Sequence, residues 1–287
     1  MTEVKAWAID RRAVRASFER AAANYDAAAV LQHEVGKRLL ERLEWMRLEP
    51  RLAIDLGCGT GRQIAGLRHR YPDATVLAVD LAEGMLTEAR QRKMSGPEPA
   101  WLCADIAALP LAERSADLLF SNLTLQWCLD PEAVFAGLLR VLRPGGLLLF
   151  STFGPDTLGE LRASWAEVDD HNHVNAFFDL HDLGDALVRA RFADPVMDCE
   201  RITLTYPDVL SLMRDLKTIG AHNVTAGRPR GLTGRGALAT LADAYATFRR
   251  PDGTLPATYE VIYGHAWRTP ADEGETAIPV ATLRRPR

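Results

Sequence analysis

The sequence predicts an α/β fold built on a parallel β-sheet, and two observations lead to this prediction. Short apolar runs alternate with stretches of helical periodicity over residues 50–153, at the spacing of β-α-β units. The first apolar run ends in Asp55 and Leu56 and passes directly into the turn Gly57-Cys58-Gly59-Thr60-Gly61. Glycines at alternate positions permit positive φ angles and let a ligand approach the backbone. We therefore expect a ligand site where the first strand ends.

The predicted elements follow one another in a regular order. Residues 10–46 carry helical periodicity in two segments, with a break around 24–26. Pro131 favours a helix start because its missing N–H is not needed at the first helical position. The segment 143–146, Arg-Pro-Gly-Gly, predicts a turn before the fifth strand. Strands are expected over 52–56, 75–79, 100–104, 116–121 and 147–152, with helices over 62–70, 83–94 and 131–142 between them.

The alternation stops after residue 153. A segment over 154–178 comes next, followed by a helix over about 180–191 and a short strand near 202–205. Residues 207–250 are mostly helical in pattern and precede a last strand over 259–267. We expect the two segments that interrupt the alternation to form lids over the sheet.

The composition excludes several classes of function. With 47% hydrophobic and 25% charged residues, the 287-residue chain is an ordinary globular protein. Its formal net charge of −4 gives no electrostatic reason to expect a nucleic-acid partner. We expect no membrane association and a cytoplasmic location, because no apolar run approaches the roughly 20 residues that span a bilayer and no secretory signal is visible. His171 and His173 lack an acid-rich cluster, and the four cysteines are scattered, so no metal site is predicted.

The spacing of the glycines separates two classes of cofactor site. Dinucleotide-binding folds need Gly-x-Gly-x-x-Gly, whereas position 62 is Arg here. The run 55–61 (DLGCGTG) instead resembles motif I of the class I methyltransferases. That resemblance implies S-adenosyl-L-methionine (SAM) as the cofactor. It also implies a Rossmann-like, seven-stranded and mostly parallel sheet with helices on both faces and an antiparallel last strand.

Polar side chains at the strand ends are the predicted cofactor ligands, because open parallel sheets bind ligands at those ends. Given the resemblance, Asp80 is expected to accept hydrogen bonds from the ribose hydroxyls. Asp105 and Ile106 are expected to form the adenine pocket, with Leu81 and Met85 as apolar walls and the glycines beside the methionyl part. The predicted cofactor residues are Asp55, Gly57, Gly59, Gly61, Asp80, Leu81, Met85, Asp105, Ile106 and Asn122.

Segments outside motif I resemble a narrower family, the BioC methyltransferases of biotin synthesis. These segments are 18–26, 31–32, 121–128 (SNLTLQWC), 165–169 and 216–221 (LKTIGA), and the likeness runs from about residue 17 to 267. The resemblance implies an enzyme that methylates the free carboxyl of malonyl-acyl carrier protein, or of malonyl-CoA, to start pimeloyl synthesis. It thus implies acyl carrier protein as the partner.

The domain organisation follows from the same resemblance. A single methyltransferase domain is expected over 1–287. Its parts are an N-terminal helical segment over about 10–46, a core over about 50–153, 179–206 and 255–268, and lid segments over about 154–178 and 207–250.

The implied reaction places few demands on the protein. A malonyl carboxylate is already ionised near pH 7, so no general base is needed. An Arg or Lys has to hold that carboxylate. Lys217 and Arg214 are candidates because they lie three residues apart on one helix face, where they also suit a local patch for the acidic carrier protein. Further candidates are Arg228 and Arg230, with Arg20 and Arg162 less favoured.

Two segments are expected to border the transfer centre. Tyr25 and Phe18 lie in the N-terminal segment, which closes over the cofactor in related enzymes. The break in periodicity around 24–26 favours a site role for Tyr25 over regular core packing. Gln126 and Trp127 follow the fourth strand and are expected to face the methyl group that is transferred.

Three alternatives share the same cofactor motif. The first is a methyltransferase of a small carboxylic acid such as trans-aconitate, which needs no protein-docking face. The second is an assembly factor of respiratory complex I that acts on a protein arginine. The third, an RNA methyltransferase, is disfavoured by the acidic charge balance.

Overall fold

The central element of the structure is a seven-stranded β-sheet. The computed structural model describes residues 9–94, 96–221, 223, 231 and 233–270. The strands are β1 (Leu52–Leu56), β2 (Thr75–Asp80), β3 (Ala100–Cys103), β4 (Ala116–Asn122), β5 (Leu142–Phe153), β6 (Ala193–Tyr206) and β7 (Leu255–Trp267). Their order is β3-β2-β1-β4-β5-β7-β6, with β1 to β5 parallel and β7 antiparallel to both neighbours. The predicted fold class is confirmed, including the antiparallel last strand.

Helices cover both faces of this sheet. They are α1 (Arg11–Ala21), α2 (Tyr25–Ala28), α3 (Val30–Arg42), α4 (Ile64–Arg70), α5 (Glu83–Gln91), α6 (Pro131–Val141), α7 (Gly159–Ala166), α8 (Leu180–Arg189), α9 (Val209–Thr218) and α10 (Arg235–Ala246). Successive strand residues point to opposite faces. Phe120 therefore packs with α3, α4 and α7 on one face, whereas Leu119 packs with α6 and α8 on the other.

The structure differs from the sequence prediction at two strands. β6 extends over Ala193–Tyr206, not only 202–205, and none of its residues is fully buried. The sequence of such an edge strand shows only a weak apolar pattern, which explains why the predicted strand is too short. The predicted turn at 143–146 is instead part of β5, where it forms an irregularity in the pairing with β4. Gly145 has a φ of 77° there, and its N–H donates to the Arg268 carbonyl at 2.8 Å, which ties this end of β5 to the segment after β7.

The two predicted lid segments contribute side chains to the core. Leu161 and Trp165 of α7, and Leu241 and Tyr245 of α10, belong to one buried cluster with the sheet. The Tyr245 hydroxyl donates to the Pro256 carbonyl at 2.8 Å. Across the part of the chain that the structure describes, every helix is too short or too polar to cross a membrane.

Candidate active site

A cleft of about 750 Å³ opens at the carboxyl ends of β1, β2 and β4, where the sequence predicts the cofactor site. We call it the cofactor cleft. It brings together most of the predicted cofactor residues, namely Gly57, Gly59, Asp80, Leu81, Met85, Asp105, Ile106 and Asn122. Asp55 and Gly61, which are also in the predicted set, do not line it.

The glycine turn shapes the floor of the cofactor cleft. Gly57 and Gly59 have φ angles of 74° and 52°, which side chains rarely allow. A Cβ at Gly57 would lie 2.1 Å from the Thr124 hydroxyl oxygen, whereas a Cβ at Gly59 would meet nothing within 4 Å. The Gly59 N–H donates to Asp80 Oδ2 at 2.8 Å. The turn thus leaves open space above Gly59 and fixes the neighbouring carboxylate.

Asp80 is a buried carboxylate at the centre of the cleft, 9% exposed. Burial raises its pKa to about 6, although hydrogen bonds from the Ala82 and Gly59 N–H groups act in the opposite direction. The Asp80 carboxyl is therefore still mostly ionised at neutral pH, so it can accept hydrogen bonds from hydroxyl groups.

Asp55 and Gly61 have supporting positions instead. Asp55 is 1% exposed within β1, and its Oδ2 has no hydrogen-bond partner. Burial, followed by the charge of Asp80, raises the pKa of Asp55 to about 7. Gly61 packs under the turn, where a Cβ would lie 3.1 Å from the Ala89 Cβ. Neither residue lines the cofactor cleft, and their contact with the cofactor stays a prediction.

Asp105 is held at the rim of the cleft by two contacts. Its Oδ1 accepts from the Ala107 N–H at 2.9 Å, and its Oδ2 pairs with Arg11 Nη1 at 2.7 Å. Arg11 lies on α1, 94 residues earlier in the sequence. No pattern in the sequence pointed to this residue, since nothing in its spacing marks it. The ion pair draws α1 across the mouth of the cleft.

Aromatic side chains separate the cofactor cleft from a second cavity. The Phe18 ring meets Trp127 edge-on, with centroids 5.4 Å apart, and lies 6.5 Å from the Tyr25 ring. Burial, and then the charges of Asp80 and Asp26, raise the pKa of Tyr25 well above its usual value, so its hydroxyl stays protonated. We call the residues that line both cavities the shared wall: Phe18, Tyr25, Leu123 and Trp127.

The position of Tyr25 is fixed by its neighbour in the sequence. Asp26 accepts a hydrogen bond of 2.6 Å from the Thr60 hydroxyl of the glycine turn, and it also pairs with Arg92. These contacts lower the pKa of Asp26, although burial opposes them. The N-terminal segment is thereby tied to the floor of the cofactor cleft.

The second cavity, of about 520 Å³, lies behind the shared wall, and we call it the acceptor cavity. Its apolar lining comes from the end of β5, from β7 and from the end of α9, through Phe153, Tyr259, Leu216 and Ile219. Its polar lining includes Gln32, Gln126 and Asn175. Of the residues that the structure describes, none that lines this cavity is charged.

Gln126 reaches the predicted region and supports the shared wall. Its Nε2 donates to the Leu123 carbonyl at 2.6 Å, and its Oε1 accepts from the Thr152 hydroxyl at 3.4 Å. Leu123 has a φ of 48°, a left-handed conformation that costs roughly 1–2 kcal/mol for a side-chain-bearing residue. Gln126 thus holds a strained residue between the two cavities.

Those predicted carboxylate-binding cations that the structure describes do not line the acceptor cavity. Arg214 and Lys217 are exposed on the outer face of α9, because Leu212 and Leu216 occupy the face that packs inward. Arg20 is exposed, and Arg162 donates to the carbonyls of Pro155 and Thr157. Arg228 and Arg230 lie outside the described residues.

The predicted histidine pair lies in a loop where His173 has structural partners. His173 stacks on Trp165, with ring centroids 3.7 Å apart, and pairs with Asp169 at 2.8 Å. Over the described part of the chain, no group of three His, Cys, Asp or Glu side chains converges as a metal site would. The histidine segment therefore orders the loop that carries Asn175.

Comparisons with known proteins agree with this geometry. A family model described as a methyltransferase domain matches residues 54–150. The malonyl-[acyl-carrier protein] O-methyltransferase of Laribacter hongkongensis is 54% identical over 279 residues, which cover 94% of this chain and 93% of that protein. The protein of the same name from Halorhodospira halophila is 50% identical over 289 residues and 98% of both chains.

Solved structures resemble the chain in fold. The YcgJ protein of Bacillus subtilis superposes with a TM-score of 0.58 at 15% identity, over 83% of this chain and 99% of its own. A SAM-dependent methyltransferase of Thermotoga maritima gives a TM-score of 0.52 at 19% identity, over 89% and 100% of the two chains. At these identities the likeness establishes the architecture alone.

Proposed function

The chain belongs to the malonyl-[acyl-carrier protein] O-methyltransferase family, and from this membership we propose how its two cavities share the reaction. The enzyme converts the free carboxyl of a malonyl thioester into a methyl ester. SAM, when bound, supplies the methyl group from its sulfonium. The observation that carries the division of roles is the shared wall, which lets two ligands meet in one place.

The cofactor cleft fits SAM in shape and chemistry. The open space above Gly59 admits a ligand against the backbone, and the buried Asp80 carboxylate matches a pair of ribose hydroxyls. Asp105 and Ile106 suit the adenine ring, and Leu81 and Met85 give it apolar walls. Asn122, Gly57 and Gly59 complete the proposed contacts, while Asp55 and Gly61 support the turn from below.

The acceptor cavity suits a carboxylate that needs no base. Since the malonyl carboxyl is ionised at neutral pH, the protein has to orient it and exclude water. The protonated Tyr25 hydroxyl at the shared wall is a donor that can hold a carboxylate oxygen. Gln126 keeps Leu123 in place, so its role is to position the wall. Phe18 and Trp127 exclude water from the meeting point.

Acyl carrier protein is the proposed partner, and the outer face of α9 is its proposed docking surface. The inner face of α9 lines the acceptor cavity through Leu216, so a carrier bound outside would have a short route inward. Arg214 and Lys217 give that outer face two exposed positive charges. An acidic partner is attracted by such a local patch although the whole chain is acidic.

The proposed location is the cytoplasm. All four cysteines, Cys58, Cys103, Cys128 and Cys199, are unpaired, which supports a reducing compartment.

The function is tested by offering the enzyme methyl-labelled SAM with three acceptors in parallel: malonyl-acyl carrier protein, malonyl-CoA and trans-aconitate. We expect label in the malonyl thioesters as a base-labile ester, and most efficiently in the carrier-bound one. Label in trans-aconitate alone would instead favour a small-acid methyltransferase. SAM binding without any transfer would favour the assembly-factor alternative.

A further inference from the structure

Two side-chain oxygens in the acceptor cavity have no hydrogen-bond partner among the residues that the structure describes. They are Oδ1 of Asn175, a residue that is 6% exposed, and Oε1 of Gln32 on α3. Both residues line the cavity. A buried acceptor without a partner costs roughly 1–3 kcal/mol, so such atoms in a cavity wall indicate a ligand that donates hydrogen bonds.

The malonyl group itself cannot satisfy these oxygens. At neutral pH it carries a carboxylate and a thioester carbonyl, which are both acceptors. Neutral side-chain oxygens opposite such groups would repel them. If the substrate supplies the donor, it comes from a part other than the malonyl group.

The arm that carries the thioester supplies such donors. Acyl groups on carrier proteins and on coenzyme A are attached to pantetheine, whose two amide N–H groups follow the sulfur. On the basis of the proposed function, we propose that Asn175 and Gln32 accept hydrogen bonds from amide N–H groups of the pantetheine arm. The acceptor cavity then recognises the arm as well as the malonyl group.

The loop that carries Asn175 is built to hold this position. His173, two residues earlier, stacks on Trp165 of α7 and pairs with Asp169. Phe177, two residues later, packs edge-on against Phe153 at 5.7 Å. With both flanks anchored, Asn175 is presented without the entropy cost of ordering a free loop.

The test uses two small malonyl thioesters that differ in a single group. One is the thioester of N-acetylcysteamine, which keeps the first amide. The other is the thioester of 5-sulfanylpentan-2-one, in which a methylene replaces the N–H. We expect the wild-type enzyme to prefer the amide substrate in kcat/KM by roughly tenfold, the value of about 1.4 kcal/mol for one hydrogen bond.

Variants of Asn175 test whether its Oδ1 atom causes the preference for the amide thioester. In Asn175→Leu the preference should fall to about one, while SAM affinity, measured by calorimetry, stays unchanged and reports a folded enzyme. Asn175→Asp keeps the acceptor oxygen and should keep the preference. Asn172→Asp is the control, because it adds the same charge to the same loop outside the cavity lining.

The possible results separate this inference from the proposed function. Equal use of both thioesters by the wild-type enzyme would overturn the inference alone. Loss of activity on both thioesters in Asn175→Asp, but not in Asn172→Asp, would also overturn it, because the residue would then face the malonyl carboxylate. No transfer to any malonyl thioester by a SAM-binding enzyme would overturn the proposed function as well.

Discussion

The cofactor cleft and the acceptor cavity share a wall but are built in opposite ways. The floor of the cleft comes from residues 57–128, where each strand end adds a polar or small residue in sequence order. The cavity combines α1, α3, β5, α9, β7 and the loop before α8, which are far apart in the chain. The cleft is lined by the acids Asp80 and Asp105, whereas the described lining of the cavity carries no charge. The proposed cofactor site is thus built from local motifs, and the proposed acceptor site from tertiary contacts.

The largest expected effect comes from placing a bulky side chain in the cofactor cleft, which the acceptor cavity does not share. In Gly59→Val the new side chain enters the open space of the cofactor cleft. SAM affinity should fall by roughly 100-fold or more, at the upper end of overpacking costs. Gly253→Val is the matched control, since Gly253 also has a positive φ of 83° and open space around it. If both variants bind SAM equally well, the ligand does not approach the turn.

The next effect concerns the central acid of the cleft. Asp80→Ala removes a charge-assisted acceptor, so SAM affinity should fall by about 10- to 150-fold, or 1.5–3 kcal/mol. The KM for the malonyl thioester, measured at saturating SAM, should stay within about twofold because Asp80 does not line the acceptor cavity. A KM that rises in parallel with the SAM dissociation constant would contradict the separation of the two cavities.

The third prediction uses the pH dependence of stability to test whether Asp55 has a structural role or binds the cofactor. The unfolded Asp55 carboxyl ionises near pH 4, at about its ordinary value, whereas the folded one has a pKa of about 7. Between these values the folded state keeps a proton that the unfolded state has released. The wild-type protein therefore loses stability as pH rises from 4 to 7.

The variant Asp55→Asn removes that dependence. Its free energy of unfolding relative to wild type should increase between pH 5 and pH 7 by about 2 kcal/mol and change little above pH 8. Urea unfolding of the ligand-free proteins at pH 5, 7 and 8 measures this difference. SAM affinity should be nearly unchanged in the variant. A strong loss of SAM affinity would return Asp55 to the set of cofactor ligands.

The smallest effect concerns the surface outside the acceptor cavity. Lys217→Ala and Arg214→Ala should each lower kcat/KM for malonyl-acyl carrier protein by about two- to fivefold at low salt, the range of exposed charge pairs. Malonyl-CoA and SAM should be unaffected. Lys37→Ala, an exposed lysine on α3, is the charge control. Equal losses with both thioesters would point to a role in the fold or in the cavity.

The sequence predicts the cofactor half of the molecule well for a physical reason. β1, β2 and β4 are largely buried apolar runs, and residues at or just after their ends line the cofactor cleft, so pattern and position coincide. Leu81, Met85, Asp105 and Ile106 also line the cleft. Asp55 is the exception, since it is buried within β1 and does not line the cleft.

The acceptor half could be predicted only in part. Nothing in the sequence brings Gln32 and Asn175 together, because they meet only through tertiary packing. The outward position of Arg214 and Lys217 could have been predicted from the sequence. Leu212 and Leu216 are four residues apart and mark the buried face of α9. That apolar periodicity indicated a surface role for the two cations.

A contact between α1 and the segment after α9 connects the two halves. The Ser17 hydroxyl on α1 donates to the carbonyl of Gly220 after α9, at 2.9 Å. A Cβ at Gly220 would lie 3.2 Å from the Ser17 carbonyl oxygen, so the two segments are in close contact. We expect a ligand that orders one of these segments to reduce the entropy that the other ligand has to remove. SAM should then raise the affinity for the thioester, and by linkage the thioester should raise the affinity for SAM by the same factor, which titration calorimetry with each ligand in turn would measure.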